Sequence, residues 1–168
     1  TFWFVPFDVV RMYDFASLPG TAFSSLELRE FSQRIAAQKQ LVMIDACQSG
    51  TAVKQLAFRG AAEERAFAQL ARSSGTAVLA ASLGSQQAGE VGELEHGVFT
   101  WALLKALDGA ADGAPTDRKV TVRELSGYLD DTIPKLMQEH HGASQFPDAF
   151  IFGQDFPISV LPAGEELR

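Results

Sequence analysis

The sequence predicts an α/β fold in which helices flank a mostly parallel sheet. Two short apolar runs, residues 41–44 and 76–82, each lead into small polar residues, as buried parallel strands do. Residues 26–36 carry apolar side chains at helical spacing directly before the first run, and residues 66–72 predict a second helix before the second run. This alternation of helix and strand is the pattern of βαβ units.

The first half of the chain also contains an aromatic strand and a helix start. Residues 2–10 predict a strand that Pro6 places at a sheet edge or makes irregular, or else the second half of a hairpin. Ser24 or Ser25 is the predicted N-cap of the helix before the first core strand, with Glu27 in its first turn. We expect this helix to end near Gln38.

The second half predicts two further helices and two closing strands. A polar loop over 83–96 leads into an apolar helix over 97–107, which we expect to be buried on most of its circumference. Thr121 either lies in a short extended segment or caps a helix, with Glu124 completing a capping box. That helix runs to about His140, and Pro134 should kink or split it. Residues 150–152 and 158–161 predict the closing strands, so one domain covers 1–161 and a polar tail follows over 162–168.

Composition narrows the classes of function. The 168 residues suffice for one domain with a core. The net charge of −7 with a pI near 4.9 disfavours nonspecific nucleic-acid binding and is compatible with a cationic substrate or partner. The single cysteine excludes an internal disulfide and favours a reducing, cytoplasmic location. No apolar run approaches the roughly 18 residues of a membrane span, and no signal-peptide pattern is present.

The stretch LVMIDACQSG, residues 41–50, contains that one cysteine, Cys47. In open α/β sheets, sites collect at the carboxyl ends of strands, where Cys47 is predicted to lie. A thiol at such a position is a candidate nucleophile. The alternative is a small, inert side chain at the end of a core strand, since free cysteine is often buried. Position and chemistry alone leave both interpretations open.

Four stretches, in order, resemble the caspase-like cysteine peptidases, specifically their bacterial caspase-like and metacaspase branch. They are FVPFD at 4–8, LVMIDACQSG at 41–50, QQAGE with HGVFTWALL at 86–104, and QFP at 145–147. The resemblance covers nearly the whole chain. It implies the caspase-like fold and a cysteine endopeptidase that belongs to a larger bacterial regulatory or defence protein.

The resemblance also implies roles for particular residues. Cys47 would be the nucleophile, and Asp45, as in metacaspases, would help to bind an Arg or Lys side chain before the cut. Asp45 could instead cap the turn that follows it. Ser82, Gln86 and Glu90 would lie beside the same pocket, although Glu90 could also be an ordinary solvated residue. No metal or other cofactor is expected.

One element of the family pattern is missing. The catalytic histidine of caspases lies about 50 residues before the cysteine, a position that falls before Thr1. His96, His140 and His141 all follow Cys47, and none matches the catalytic position. We therefore expect a preceding segment or a companion chain to carry the histidine together with the missing N-terminal strands. The alternative is a catalytically inactive caspase-like module that binds or scaffolds other proteins.

Overall fold

Helices and short strands alternate along the chain, which forms a mixed α/β structure. The computed structural model describes residues 3–5, 16–45, 65, 68–69, 71, 76–81, 90–91 and 96–162. In chain order its elements are β1 (Trp3–Phe4), α1 (Leu18–Thr21), β2 (Phe23–Ser24), α2 (Ser25–Arg34), β3 (Gln40–Ile44), β4 (Thr76–Ala80), β5 (Glu90–Val91), β6 (His96–Gly97), α3 (Val98–Lys105), a π-helical turn (Ala106–Ala110), β7 (Lys119–Thr121), α4 (Val122–His141), β8 (Asp148–Phe150) and β9 (Pro157–Val160).

Within the described ranges, the central sheet has three strands in the order β3-β4-β8. The two predicted core strands pair in parallel, with Val42 opposite Val78 and Ile44 opposite Ala80. Strand β8 runs antiparallel to β4, and Phe150 lies opposite Val78. The parallel pairing of the two core strands is confirmed, but the sheet is mixed rather than mostly parallel, because β8 and the other strand pairs of the described residues are antiparallel. The closing strand begins at Asp148, two residues before the predicted start.

The sheet is apolar on both faces because both faces are covered. All five residues of β4 are buried. Leu79 belongs to the larger core cluster, which α3 and α4 supply with side chains such as Phe99 and Leu129. Val78 and Ala80 belong to the smaller cluster on the opposite face, against which Phe4 and Leu28 pack. Burial on both sides explains why the strand sequences are continuous apolar runs rather than alternating ones.

Helix α2 begins where the sequence predicts. The Ser24 side chain accepts a hydrogen bond from the Glu27 backbone N–H, and the Glu27 carboxylate accepts one from the Ser24 backbone N–H. Hydrogen bonds from Ser24 also lower the pKa of Glu27. The helix ends at Arg34 rather than near Gln38, because the backbone turns extended at Ile35 and the Gln40 amide donates to the carbonyls of Ser32, Ile35 and Ala37.

Helix α3 packs against the core over much of its surface. Val98, Phe99 and Ala102 are buried, and Trp101 and Leu103 are partly buried against the same cluster. Leu104 is 50% exposed, so the expectation of burial fails at this apolar side chain. The helix then widens into the π-helical turn, where Gly109 has φ +112° and starts the chain toward β7.

Helix α4 resolves the two alternatives at Thr121. Strand β7 ends at Thr121, and the same residue caps α4 through a reciprocal capping box with Glu124. The helix continues through Pro134 to His141, so the predicted split does not occur. Even α4, with 20 residues, is too polar to cross a membrane, and no other helix in the described ranges could do so.

Replacement of Gly109 by alanine should destabilise the fold. A Cβ at this position would lie 2.9 Å from Cδ1 of Leu161, and the backbone φ of +112° disfavours any side chain. We expect Gly109→Ala to lower the free energy of unfolding by about 1–3 kcal/mol, measured by urea denaturation.

Gly127→Ala is the matched control. Gly127 lies within α4, and a Cβ there meets nothing within 4 Å. Alanine should raise the free energy of unfolding by about 0.5–1 kcal/mol because it favours the helix. Equal effects of the two substitutions would show that Gly109 is not held by its backbone conformation and by Leu161.

Candidate functional site

The carboxyl ends of β3 and β4 meet at one edge of the central sheet. Asp45 directly follows β3, and Ala81 directly follows β4. The Ala81 backbone N–H donates to the Ile44 carbonyl at 2.9 Å, so the parallel pairing continues one step past β4. This edge, formed by Ile44, Asp45, Ala80 and Ala81, is called the carboxyl edge below. It lies where open α/β sheets place their sites.

Asp45 presents an exposed carboxylate at the carboxyl edge. Its Oδ2 accepts a hydrogen bond of 2.5 Å from Oγ1 of Thr100, which lies 55 residues later in the first turn of α3. Asp45 continues the alternation of Leu41 and Met43, which places its side chain on the sheet face that α3 covers. The contact fixes one carboxylate oxygen, and the amino-terminal end of α3 favours the negative charge.

The alternatives for Asp45 concern different neighbours. The turn that it could cap, residues 46–50, lies outside the described residues, so this interpretation stays untested. Within the described residues, Thr100 is the hydrogen-bond partner of the Asp45 side chain. The carboxylate is thus tied to a helix across the edge and keeps an exposed position, as binding of a cation from solvent would require.

Gln145 holds the other strand at the carboxyl edge. Its side chain is fully buried, and its Nε2 donates to the Ala81 carbonyl at 2.9 Å. Ala81 therefore has both backbone groups engaged, one with Ile44 and one with Gln145. The sequence places Gln145 in the QFP stretch, but no local pattern predicts that its side chain reaches the end of β4.

None of the three histidines takes part in these contacts. His96 is exposed, pairs with Val91 of β5 and directly precedes Gly97, the N-cap of α3. His140 and His141 lie exposed in the last turn of α4. No histidine in the described ranges hydrogen-bonds Asp45 or Ala81.

The other predicted site residues fall mostly outside the described part of the chain. Cys47, Ser82 and Gln86 lie there, so their predicted roles are untested. Glu90 forms the backbone of β5 and pairs with Gly97. Among the described residues, no group of three His, Cys, Asp or Glu side chains is arranged to hold a metal ion.

Two further acidic residues, Asp130 and Asp148, line a small depression beside β8, together with Ser126. Desolvation by burial raises the pKa of Asp130, and repulsion from Asp131 adds to this effect. A carboxyl with a raised pKa in the folded state favours folding only while protonated, so this contribution is lost as pH rises through the folded-state pKa. No described hydrogen bond links this depression to Asp45.

Comparison with known proteins adds no further constraint: no protein-family model, curated protein or solved structure matches the chain. The site is therefore defined by the contacts of its own residues. Thr100 and Gln145 are the two contributors that sequence reasoning missed. Thr100 had a detectable signal, because it is a lone hydroxyl in the first turn of an otherwise apolar helix.

The Asp45–Thr100 hydrogen bond should appear as a coupling in a double-mutant cycle of Asp45→Ala and Thr100→Val. Asp45→Ala removes the acceptor, and Thr100→Val removes the donor while nearly conserving side-chain volume. We expect a coupling free energy of about 0.5–1 kcal/mol in urea denaturation, below the usual value for a hydrogen bond to a charged group because the pair is exposed. Strict additivity would contradict the contact.

Proposed function

We propose that the chain is part of a caspase-like cysteine endopeptidase that cleaves peptide bonds after Arg or Lys. The observation that carries the proposal is the position of Asp45. This exposed carboxylate stands at the carboxyl edge, is oriented by Thr100, and precedes the lone cysteine of the chain by two residues. The mixed α/β architecture with a parallel β3-β4 pair is compatible with the caspase-like fold.

In the proposed mechanism, the Cys47 thiolate attacks the carbonyl carbon of the scissile peptide bond. The carbonyl oxygen becomes an oxyanion, which the Cys47 backbone N–H would help to stabilise. Collapse of this intermediate breaks the C–N bond, and a histidine donates the proton to the departing amine. Water, deprotonated by the same histidine, then hydrolyses the thioester and releases the acid product. A preceding segment or a companion chain supplies the histidine.

Asp45 accounts for the proposed preference for a basic residue. A guanidinium can bind a carboxylate through two parallel hydrogen bonds, and an ammonium can bind it as a point charge. Thr100 is uncharged and donates one hydrogen bond to Oδ2, so it does not neutralise the carboxylate. An acidic substrate residue would be repelled at the same position. Ser82, Gln86 and Glu90 complete the proposed pocket, and the net charge of −7 attracts cationic substrates.

A second candidate function rests on the histidines. All three follow Cys47 in the sequence and lie outside the contacts of the carboxyl edge. If no other segment supplies a histidine, the same edge would bind a basic peptide without cleaving it. The chain would then be a caspase-like binding or scaffold module.

Kinetics on matched peptides test the proposal in the protein together with whichever segment or companion chain supplies the histidine. Cys47→Ala should lower kcat/KM for an Arg-containing peptide by at least about 10³-fold, as expected for loss of a nucleophile. Asp45→Ala should lower kcat/KM for the same peptide by about 10–100-fold, since it removes roughly 1.4–3 kcal/mol of charge recognition.

Asp131→Ala is the control for loss of an exposed acid, because Asp131 lies on α4. It should leave cleavage unchanged. Cleavage by Cys47→Ala at the wild-type rate would refute the endopeptidase proposal, and absence of cleavage by the wild type would favour the binding module. An Asp45→Ala variant with full activity toward Arg would remove Asp45 from the pocket.

A further inference from the structure

We infer that Gln145 is a positioning residue that sets the carboxyl edge in register for substrate binding. This inference rests on the proposed function of that edge and extends it to a residue outside the proposed catalytic and pocket set. It concerns the hydrogen bond from Gln145 Nε2 to the Ala81 carbonyl.

The Gln145 amide is buried, and burial of a polar group costs free energy unless the group is hydrogen-bonded. Its side chain is 0% exposed, and it contacts Ala81 across 64 residues of sequence. Burial of an unpaired amide costs about 1–3 kcal/mol by mutational measures. A buried amide that is paired fixes position more sharply than an apolar side chain, because its hydrogen bond has a preferred distance and direction.

The register of the sheet explains why a side chain is needed here. Strand β8 pairs with β4 from Phe150 opposite Val78 to Asp148 opposite Ala80. The next residue pair in this register is Pro147 opposite Ala81. Hydrogen-bonded and non-hydrogen-bonded pairs alternate in an antiparallel ladder, and the Ala81 N–H points toward β3, so the backbone of residue 147 would not donate to the Ala81 carbonyl in this register. Gln145, two residues before Pro147, supplies from its side chain a donor that the β8 ladder does not offer.

This bond acts on both halves of the proposed site. Ala81 accepts from Gln145 and donates to Ile44, so its peptide groups connect the two strand ends. The residue after Ile44 is Asp45, and the residue after Ala81 is Ser82, both of which belong to the proposed pocket. A displacement of the Ala81 peptide groups therefore also displaces the Ile44 carbonyl, directly before Asp45.

Gln40 provides an internal comparison. Its side-chain amide also donates to backbone carbonyls, those of Ser32, Ile35 and Ala37. Its Oε1 accepts from Ser32 Oγ, which also hydrogen-bonds the Thr76 hydroxyl at 3.0 Å. These contacts join α2 to the amino ends of β3 and β4. Gln40 thus also fixes strand ends through side-chain hydrogen bonds to backbone carbonyls, but at the opposite end of the same two strands.

The test compares Gln145→Met with Gln40→Met, since methionine keeps the length of glutamine without the amide donor. Both variants should lose stability in urea denaturation. Only Gln145→Met should lower kcat/KM for the Arg-containing peptide, by about tenfold or more, because small misplacements of binding groups are costly. It should also change the rate at which iodoacetamide alkylates Cys47, measured where each variant is fully folded.

The two readouts separate the inference from the proposed function. If the wild type does not cleave, the proposed function fails, and the alkylation rate alone decides the role of Gln145. The inference is overturned if Gln145→Met keeps the wild-type alkylation rate and kcat/KM, or if Gln40→Met changes them as much. Should Gln145→Met fail to fold, Gln145→Asn, which stays polar but loses reach, takes its place with the same expected direction.

Discussion

The parallel pairing of β3 with β4 is the constraint on which the rest of the structure depends. It buries β4 completely and brings the residues that follow both strands to one edge. The hydrogen bond from Ala81 to Ile44 extends the pairing past the end of β4, just before Asp45. Parallel strands are found almost only where both faces of the sheet are covered. The helices that pack on the two faces are therefore needed for the carboxyl edge to form.

The carboxyl edge is held by side chains that come from distant parts of the chain. Thr100 reaches Asp45 from α3, and Gln145 reaches Ala81 from the segment before β8. The acceptors, Asp45 Oδ2 and the Ala81 carbonyl oxygen, are oxygens that the ladder of the described strands does not use. Their combined effect is to hold the two strand ends relative to α3 and to the QFP segment. Such support by surrounding hydrogen bonds is what a precise binding site requires.

Local chemistry was predictable from sequence, and long-range contacts were not. The capping boxes at Ser24–Glu27 and Thr121–Glu124 follow from residues three apart, so their patterns are visible in the chain. The early end of α2 depends on the Gln40 side chain, and the exposure of Leu104 depends on what packs beside α3. The edge position of Asp45 was predicted from the strand pattern. The contacts of Thr100 and Gln145 span 55 and 64 residues of sequence, so no local pattern predicts the partner of either side chain.

The central claim is that a nucleophilic Cys47 lies beside an acidic pocket at the carboxyl edge. Covalent labelling of Cys47 tests this claim most directly. The protein is treated with two peptidyl acyloxymethyl ketones that differ only in an Arg or an Asp beside the reactive group. Intact-mass spectrometry should show one adduct on Cys47, formed at least about tenfold faster with the Arg probe, since each 1.4 kcal/mol of discrimination gives tenfold. Equal labelling rates with the two probes, or no adduct on a cysteine that iodoacetamide modifies, would contradict it.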